Sequence, residues 1–291
     1  MEDFAGISVL ILRGEGRDER VAAEIGRRGG RVAVLDPRRE PLAQAAGRLD
    51  AETWLVAPVS GVGPGGVVQT ETGAVVVPVD LARRACGVAA GVVDPAWARA
   101  VGVPAVAYRD HPVFAWANAV PTAEGALHWA LAARPAVLLG MRVAVSGYGR
   151  VGQVLADRLR AVGARVVVLS EDPAERARAS AFGFETTAVR SARGPVGLWF
   201  NTVPAPVYDV EAVAALDPGA VLDLASHPGG FTSGALKLLG TRLERRPGLP
   251  ADIAPETAAA VVVDTLSILL RSTGDRGDRA QRARPASGGG E

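Results

Sequence analysis

One short stretch constrains the fold of this chain more than any other, because an apolar strand there runs straight into a glycine-rich turn. Residues 141–152 read Met-Arg-Val-Ala-Val-Ser-Gly-Tyr-Gly-Arg-Val-Gly and end in the spacing Gly-x-Gly-x-x-Gly. Helical periodicity follows, and a second apolar strand is predicted from Arg165 to Leu169. In this β-α-β arrangement Gly147 permits the tight turn, Gly149 lets a pyrophosphate approach the backbone, and Gly152 lets the helix pack on the strand. The stretch therefore predicts a dinucleotide-binding turn.

The helix after the turn would itself favour an anionic ligand. The N-terminus of a helix offers unpaired N–H groups and a partial positive charge, and both suit a pyrophosphate. The alternative is a tight turn in a fold of the same kind that binds no cofactor. The predicted cofactor contacts in the turn are Gly147, Tyr148, Gly149, Arg150, Val151 and Gly152.

Composition argues against several classes of protein. The 291 residues include 32 Lys and Arg against 31 Asp and Glu, so bulk electrostatics disfavour nucleic-acid or anionic-membrane binding. A single cysteine, Cys86, excludes an internal disulfide and favours a reducing, cytoplasmic compartment. We expect no secretory signal and no membrane span, because no apolar run approaches the roughly 20 residues that a bilayer requires. No spacing of His, Cys and Asp suggests a metal site.

Apolar runs alternate with helical patterns along most of the chain, which predicts an α/β fold with parallel strands. We expect two lobes with a cleft between them. Residues 1–118 would form an N-terminal α/β domain of Rossmann or flavodoxin-like type, and residues 119–254 a Rossmann dinucleotide-binding domain. Besides the strand before the glycine turn, strands are predicted at residues 7–12, 31–35, 53–56, 103–107, 165–169, 197–201 and 220–225.

Two helices are expected near the domain boundaries. The pattern breaks at residues 118–122, and a linking helix is predicted to follow, with Thr122 as its N-cap and Glu124 in its first turn. A C-terminal apolar helix at residues 255–271 would pack back on the first domain. Residues 272–291 mix Arg, Asp, Gly and Pro without apolar periodicity, so we expect a disordered tail.

Cofactor choice should be set where the second strand of the dinucleotide unit ends, about 18 to 20 residues beyond the last glycine. Ser170, Glu171 and Asp172 stand there. An acid that binds the ribose 2′-OH would favour NAD, because it would repel the 2′-phosphate of NADP. Ser170 occupies the usual position of that acid, however, so NAD and NADP both stay open. The alternative is that Glu171 and Asp172 only cap the helix predicted at Pro173.

Polar residues follow two later strands of the same domain, at the edge where open α/β sheets bind ligands. The first strand ends in Asn-Thr-Val-Pro, and the second continues into Ala-Ser-His-Pro-Gly-Gly. His227 lies in the second loop and can accept a proton near neutral pH; the alternative is a loop histidine without chemistry. The predicted cofactor contacts at this edge are Asn201, Thr202, Pro204, Ala225 and Ser226, with Ser170 and Glu171 beside them.

Three segments of the N-terminal domain carry residues suited to an anionic substrate. Arg17 follows the first strand in a turn whose third glycine is missing, so an anion site is a better interpretation than a nucleotide site. Ser60 follows another strand, and Arg109-Asp110-His111 places an arginine for a carboxylate beside two candidate bases. The alternatives are an ordinary βα turn and a solvated hinge cluster.

Taken together, these motifs resemble the A subunit of bacterial dipicolinate synthase. The likeness covers roughly residues 6–270. It is most specific in Leu-Asp-Leu-Ala-Ser with Pro-Gly-Gly at 222–230, and in Pro-Gly-Leu-Pro with Ala-Pro at 247–255. Val-Pro-Thr-Ala-Glu-Gly at 120–125 and the glycine turn also match. Two positions depart from the family pattern: His227 stands where Arg can occur, and the acids at 171–172 stand where Arg or Ser suits NADP.

The resemblance implies an NAD(P)-dependent oxidation of dihydrodipicolinate, an intermediate of lysine synthesis, to dipicolinate in the mother-cell cytoplasm of a sporulating bacterium. It also implies the flavoprotein-like B subunit of dipicolinate synthase as partner, and an oligomer is expected. A small dicarboxylate substrate needs cationic and hydroxyl partners. The predicted substrate-binding residues are Arg17, Ser60, Arg109, Thr122 and Glu124, and the predicted proton acceptors are Asp110, His111 and His227.

Two other functions fit the same motifs. One is a different two-domain NAD(P) oxidoreductase, of the shikimate or 2-hydroxyacid dehydrogenase type. The other is a non-catalytic nucleotide-binding subunit whose partner supplies the chemistry. A substrate panel separates the first from the family interpretation, and cofactor binding without turnover would identify the second.

Overall fold

The structure, a computed structural model, describes residues 3–133 and 136–282, with side chains as far as Thr273. The chain divides into two compact units. The first unit contains the chain up to Ala115 and again from Pro255 onward, and the second unit runs from Trp116 to Ala254. Both units are α/β folds built on a parallel sheet, which confirms the predicted fold class.

The strands of the first unit are short and rich in Val, Leu and Ala. They are β1 (Ser8–Leu12), β2 (Arg31–Leu35), β3 (Thr53–Val56), β4 (Val67–Thr70), β5 (Gly73–Val76), β6 (Gly87–Ala90) and β7 (Ala105–Ala107). Five of them pair in parallel in the order β2-β1-β3-β6-β7, and β4 and β5 form a separate antiparallel hairpin. Strands β3 and β6 are buried at every position, as expected when helices and loops cover both faces of a parallel sheet.

Helices pack around this first sheet. They are α1 (Arg17–Arg27), α2 (Val79–Ala82), α3 (Pro95–Val101) and the last helix of the chain, α10 (Pro255–Arg282). Val21 and Ile25 lie on the buried face of α1, and α10 packs against α1. Arg20 and Glu256 form an exposed ion pair of 3.0 Å between these helices. Because exposed pairs contribute little, apolar packing holds α10 in place.

The second unit has a six-stranded parallel sheet. Its strands are β8 (Arg142–Ser146), β9 (Arg165–Leu169), β10 (Glu185–Thr187), β11 (Leu198–Asn201), β12 (Ala220–Asp223) and β13 (Leu243–Arg245). They pair in the order β10-β9-β8-β11-β12-β13, so all their carboxyl ends share one edge. The helices of this part of the chain are α4 (Pro112–Ala133), α5 (Arg150–Ala161), α6 (Pro173–Ala181), α7 (Val210–Leu216), α8 (Ser233–Leu239) and α9 (Leu249–Ile253).

The start of the linking helix differs from the prediction. Helix α4 begins at Pro112 and continues through Pro121, so Thr122 is not an N-cap and Glu124 is not in a first turn. The Thr122 hydroxyl instead donates to the carbonyl of Asn118, one turn back, at 2.6 Å. A row of fully buried alanines crosses the proline, and their packing outweighs the hydrogen bond that Pro121 cannot make. These alanines are Ala119, Ala123, Ala126 and Ala130.

Some elements escaped the sequence patterns. Strand β6 reads Gly-Val-Ala-Ala and lacks the β-branched run that predicts a strand. A Cβ at Gly87 would lie 2.5 Å from the ring of Trp54, so only glycine leaves room for the indole at this position. The β4–β5 hairpin, β10 and β13 are likewise too short for the alternation to predict.

The C-terminal helix is longer than the apolar pattern predicted. Helix α10 continues to Arg282, so residues 272–282 are helical rather than disordered. Once the packed apolar turns have nucleated a helix, each added residue gains a backbone hydrogen bond at little further cost. Residues 283–291 of the predicted tail lie outside the described residues.

Candidate cofactor and substrate sites

The glycine turn of the second unit connects β8 to α5 and has the shape that a pyrophosphate requires. Gly147 has a φ of +83°, and a Cβ there would lie 2.7 Å from the Thr202 hydroxyl oxygen. A Cβ on Gly152 would collide with the carbonyl oxygen of Gly147. At Gly149, by contrast, a Cβ would meet nothing within 4 Å. Two glycines therefore serve internal packing, while the third faces open space and leaves the backbone accessible, so the turn fits the cofactor.

The other predicted residues of the turn divide between core and surface. Tyr148 is 2% exposed, and its ring packs edge-on against Phe184 at a centroid distance of 5.9 Å. Its side chain therefore belongs to the core rather than to a ligand site. Arg150 and Val151 are the first two residues of α5, and Arg150 is exposed.

A glutamate that the sequence did not single out occupies the turn. The side chain of Glu175, from α6, accepts a hydrogen bond on Oε2 from the backbone N–H of Tyr148 at 2.9 Å. The same oxygen accepts the hydroxyl of Ser170 at 2.7 Å. Glu175 is the third residue of α6 after the N-cap Asp172, a position where Glu normally bonds back to the cap. The spacing from Asp172 to Glu175 is visible in the sequence, but it predicts a hydrogen bond back to the cap rather than one to the turn after β8.

The two acids next to Ser170 have separate roles. Asp172 caps α6 by accepting the Ala174 N–H at 2.8 Å, as the alternative interpretation held. Glu171 does not cap α6: its Oε1 accepts the Val189 N–H at 3.0 Å.

A cavity of about 370 Å³ lies over the turn. Its lining includes the first two fingerprint glycines and three carboxylates, those of Glu171, Asp172 and Glu175. Val189 and Val207 supply apolar surface, and Thr202 and Pro204 line it as predicted contacts. Among the described residues that line this cavity, none is Lys or Arg.

Asn201 and Asp223 form a buried network at the ends of β11 and β12. The Asn201 amide nitrogen donates to Asp223 Oδ1 at 2.7 Å and to the Val203 carbonyl at 3.0 Å, and its oxygen accepts the Val203 N–H at 3.0 Å. Asn201 is fully buried. Its side chain was predicted to contact the cofactor, but the amide is already used within this network and positions the loop instead.

Asp223 holds the loop that carries His227. Its carboxylate accepts the N–H groups of Ala225 at 3.1 Å and Gly230 at 3.2 Å, and Arg245 pairs with it at 3.5 Å. Ser226 and His227 are exposed, whereas Ala225 is buried. A carboxylate inside the apolar run Val-Leu-Asp-Leu was the signal for this role, because a buried acid needs several hydrogen-bond donors.

In the first unit, the turn after β1 is filled by its own carboxylate. Asp18 Oδ2 accepts the backbone N–H groups of Gly14 at 2.7 Å and Glu15 at 2.9 Å. Burial raises the pKa of Asp18 to about 7. Arg17 is 5% exposed at its side chain and pairs with Glu15 at 2.9 Å. The predicted anion site at Arg17 is thus a buried ion pair.

Other predicted substrate-binding residues share the carboxyl edge of this first sheet. Ser60, exposed after β3, donates its hydroxyl to the Gln69 carbonyl at 3.1 Å. Tyr108 follows β7, and its hydroxyl donates to the Ala57 carbonyl at 3.1 Å. Burial raises the pKa of Tyr108 well above its ordinary value, while the charges of Arg17 and Arg109 lower it.

Three of the remaining predicted residues, His111, Glu124 and Thr122, have local partners. His111 Nδ1 accepts the Val113 N–H at 3.3 Å, at the start of α4, and Asp110 is exposed. Glu124 lies 3.6 Å from Arg158 of α5 in a partly exposed ion pair. Thr122 uses its hydroxyl within α4, as described above.

Known proteins match this architecture. The A subunit of dipicolinate synthase from Bacillus subtilis (strain 168) is 32% identical over 157 residues, which cover 53% of this chain and 53% of that relative. Its crystal structure aligns with a TM-score of 0.77 at 22% identity, over 94% of this chain and 98% of that one. The corresponding protein from Bacillus halodurans aligns with a TM-score of 0.76 at 25% identity, over 92% and 98%. The chain is a relative of the dipicolinate synthase A subunit.

This kinship confirms the resemblance predicted from the motifs. The sequence match spans about half the length of the curated relative. No protein-family model matches the chain. The fold and the relatives together make it an oxidoreductase-like Rossmann protein.

Two absences hold within residues 3–133 and 136–282. No helix in these ranges has both the length and the apolar character needed to cross a membrane. Among the side chains that the structure describes, which end at Thr273, no group of three or more His, Cys, Asp or Glu is placed to hold a metal ion.

Proposed function

We propose that this chain oxidises dihydrodipicolinate to dipicolinate with a nicotinamide nucleotide, as a counterpart of the dipicolinate synthase A subunit. The observation that carries the proposal is the glycine turn of the second unit. Its packing demands Gly147 and Gly152 and leaves Gly149 open, in a chain whose fold follows that of the A subunit over nearly its whole length. A bound nicotinamide would accept a hydride from the substrate ring, which becomes aromatic as a proton leaves the neighbouring atom.

The second unit would hold and orient the cofactor. Helix α5 begins at Arg150, directly after the open Gly149, so its N-terminus offers N–H groups to a pyrophosphate. Thr202, whose hydroxyl donates to the Ser146 carbonyl at 2.7 Å, packs against Gly147 and keeps the turn in shape. Asp223 would help to position the exposed His227 as a proton acceptor, because it accepts N–H groups from both sides of the loop, those of Ala225 and Gly230.

The first unit would hold the substrate carboxylates. Arg109 is the stronger candidate of the two predicted arginines, because Arg17 is buried and already paired with Glu15. Arg109 is partly exposed at the carboxyl edge of the sheet, and Ser60 lies at the same edge. Asp110, His111 and His227 stay the candidate proton acceptors, and Thr122 and Glu124 the weaker substrate contacts, since each has an intramolecular partner.

The partner subunit and the cellular location are also part of the proposal. Both are taken from the kinship with the dipicolinate synthase A subunit. We expect the chain to assemble with the flavoprotein-like B subunit, in an oligomer, in the mother-cell cytoplasm during sporulation.

A coupled assay tests the function directly. Dihydrodipicolinate would be generated in situ and given to the purified chain with NAD⁺ or NADP⁺, with and without the B subunit. Reduced nicotinamide and dipicolinate should both form in equal amounts. Nucleotide binding without dipicolinate in either condition would contradict the proposal. Turnover of shikimate or a 2-hydroxyacid instead would identify a different dehydrogenase.

A further inference from the structure

We propose that Glu175 is the acid that binds the adenosine ribose and makes this site selective for NAD over NADP. The inference rests on the proposed nucleotide site and adds its specificity. In a dinucleotide unit the acid that contacts the ribose 2′-OH usually ends the second strand. Here that strand is β9, and the residue after it is Ser170, which cannot carry the charge.

Glu175 supplies a carboxylate at the same place from a different element. Ser170 donates its hydroxyl to Glu175 Oε2 at 2.7 Å, so the carboxylate lies beside the end of β9. The Tyr148 N–H donates to the same oxygen at 2.9 Å, so the carboxylate also touches the turn between the first two fingerprint glycines. An acid placed against both the strand end and the turn has the location that ribose recognition needs.

The second oxygen of Glu175 can still accept hydrogen bonds. Both donors bond to Oε2, and no hydrogen bond to Oε1 occurs within the described part of the chain. Glu175 is half-buried and lines the cavity over the turn. A ribose hydroxyl can therefore donate to Oε1 without displacing either internal partner.

Charge around the cavity explains the selectivity. Glu171, Asp172 and Glu175 all line it, and no cation does so among its described lining residues. The 2′-phosphate of NADP carries about two negative charges and would lie close to these carboxylates. The resulting repulsion would weaken binding of NADP, and the two ribose hydroxyls of NAD do not cause it.

Three arginines near the site have other partners or another location. Arg176 donates from Nη1 to the main-chain carbonyl of Ser170 at 2.7 Å. Arg190 and Arg193 line a neighbouring cavity that shares Glu171, Val189 and Val207 with this one. None of the three lines the cavity over the turn. An arginine of this group would hold a 2′-phosphate if the inference were wrong.

Glu171 provides a matched control for Glu175. Both are glutamates on the cavity wall, but the Glu171 carboxylate accepts the Val189 N–H at 3.0 Å and makes no hydrogen bond to the turn among the described residues. Glu175→Gln and Glu171→Gln remove the same charge from one wall while keeping side-chain volume. Only Glu175→Gln removes the negative charge from the position proposed to bind the ribose.

Calorimetric titration of the full chain with NAD⁺ and with NADP⁺ tests the inference without relying on turnover. The wild type should bind NAD⁺ at least about ten-fold more tightly than NADP⁺. Glu175→Gln should lower that ratio about ten-fold, since a charge-assisted hydrogen bond to the ribose is lost and the repulsion of the phosphate is relieved. Glu171→Gln should change the ratio less than about three-fold. Glu175→Asp keeps the charge with a shorter reach and should weaken NAD⁺ binding while the preference for NAD⁺ remains.

The possible failures point to different errors. Tighter binding of NADP⁺ by the wild type would overturn the inference, and loss of that binding in Arg176→Gln, Arg190→Gln or Arg193→Gln would show which arginine holds the phosphate. A ratio that shifts only in Glu171→Gln would also overturn it. If neither nucleotide binds, the proposed function fails as well. Selective NAD⁺ binding without dipicolinate formation would leave the inference intact and remove only the proposed reaction.

Discussion

The first βα turns of the two units have the same place in their folds, but carboxylates take more of the backbone N–H groups in the first turn than in the second. After β1, the N–H groups of Gly14 and Glu15 are taken by Asp18, and that of Gly16 by Glu71 at 2.7 Å. After β8, Glu175 takes the N–H of Tyr148 with one carboxylate oxygen. The first turn is closed by acids of its own unit, whereas the second keeps a glycine that faces open space.

The comparison shows that topology alone does not make a nucleotide site. Both turns lead from the end of a buried parallel strand into a helix, where anions are favoured. A Cβ on Gly14 would lie 2.6 Å from Pro58, so that glycine serves packing, just as Gly147 does against Thr202. What differs is Gly149, where a Cβ would meet nothing within 4 Å, whereas at Gly16 it would meet the Glu71 carboxylate that takes the Gly16 N–H. Variants of the two turns and of their neighbours test this difference.

The largest effect should come from closing the second turn. Gly152→Ala puts a methyl group against the Gly147 carbonyl, so the turn must shift. We expect nucleotide affinity to fall about 100-fold or more, measured by titration with NAD⁺. Gly16→Ala is the matched control in the first turn, because its nearest neighbour there would be Glu71 at an ordinary 3.7 Å. Equal losses in both variants would contradict the division of roles between the turns.

The second effect concerns what the first unit binds instead of a nucleotide. Arg109→Ala should lower kcat/KM for dihydrodipicolinate about 100-fold, near 3 kcal/mol, because a charged hydrogen-bond partner of a carboxylate is lost. Nucleotide affinity should stay within about two-fold. Steady-state kinetics and calorimetry measure the two quantities, with the exposed Arg84 changed to Ala as control. Loss of nucleotide binding in Arg109→Ala would point to a folding role.

The third effect is a pH dependence in the closed first turn. Burial raises the pKa of Asp18 to about 7 from an ordinary 3.8, so the folded chain binds more protons than the unfolded chain between these values. The contribution of Asp18 to stability is therefore favourable at low pH and declines as the pH rises through this window. Asp18→Asn cannot ionise and should gain on the order of 2 kcal/mol over the wild type near pH 8, and little near pH 4.

Urea unfolding of both proteins across this pH range measures the difference. Because every other titrating group is common to the two proteins, the change in their gap with pH reports Asp18. A gap that stays constant would mean that the folded chain ionises Asp18 at its ordinary pKa.

The smallest effect should follow from partly opening the first turn. Glu71→Ala frees the Gly16 N–H and removes partly exposed ion pairs with Arg13 and Arg38, at 3.9 and 3.7 Å. We expect stability to fall by less than about 1 kcal/mol, since exposed pairs contribute little. NAD⁺ should still not bind to this turn, because Asp18 continues to fill it. Two nucleotides bound per chain would refute the view that Asp18 closes the site.

Local signals predicted the parts of this fold that depend on neighbours in sequence. The glycine spacing predicted the turn because the local backbone geometry, set within a few residues, requires these glycines. Strand β6 was missed because it begins at a glycine, and the reason for that glycine is the ring of Trp54, far away in sequence. The start of α4 was wrong for a similar reason: Pro121 indicates a break, and only the packing of buried alanines carries the helix across it.

The sequence by itself determined two parallel α/β units, a glycine turn that can approach a phosphate, and kinship with the dipicolinate synthase A subunit. Tertiary structure alone decided which backbone N–H groups stay accessible and which acids meet them. Glu175 reaches the turn from α6, and Asn201 at the end of β11 donates to Asp223 at the end of β12. These contacts join residues about 20 or more positions apart, and folding must first pay the entropy of bringing such segments together. The periodicity of the sequence does not indicate which distant residues form these contacts.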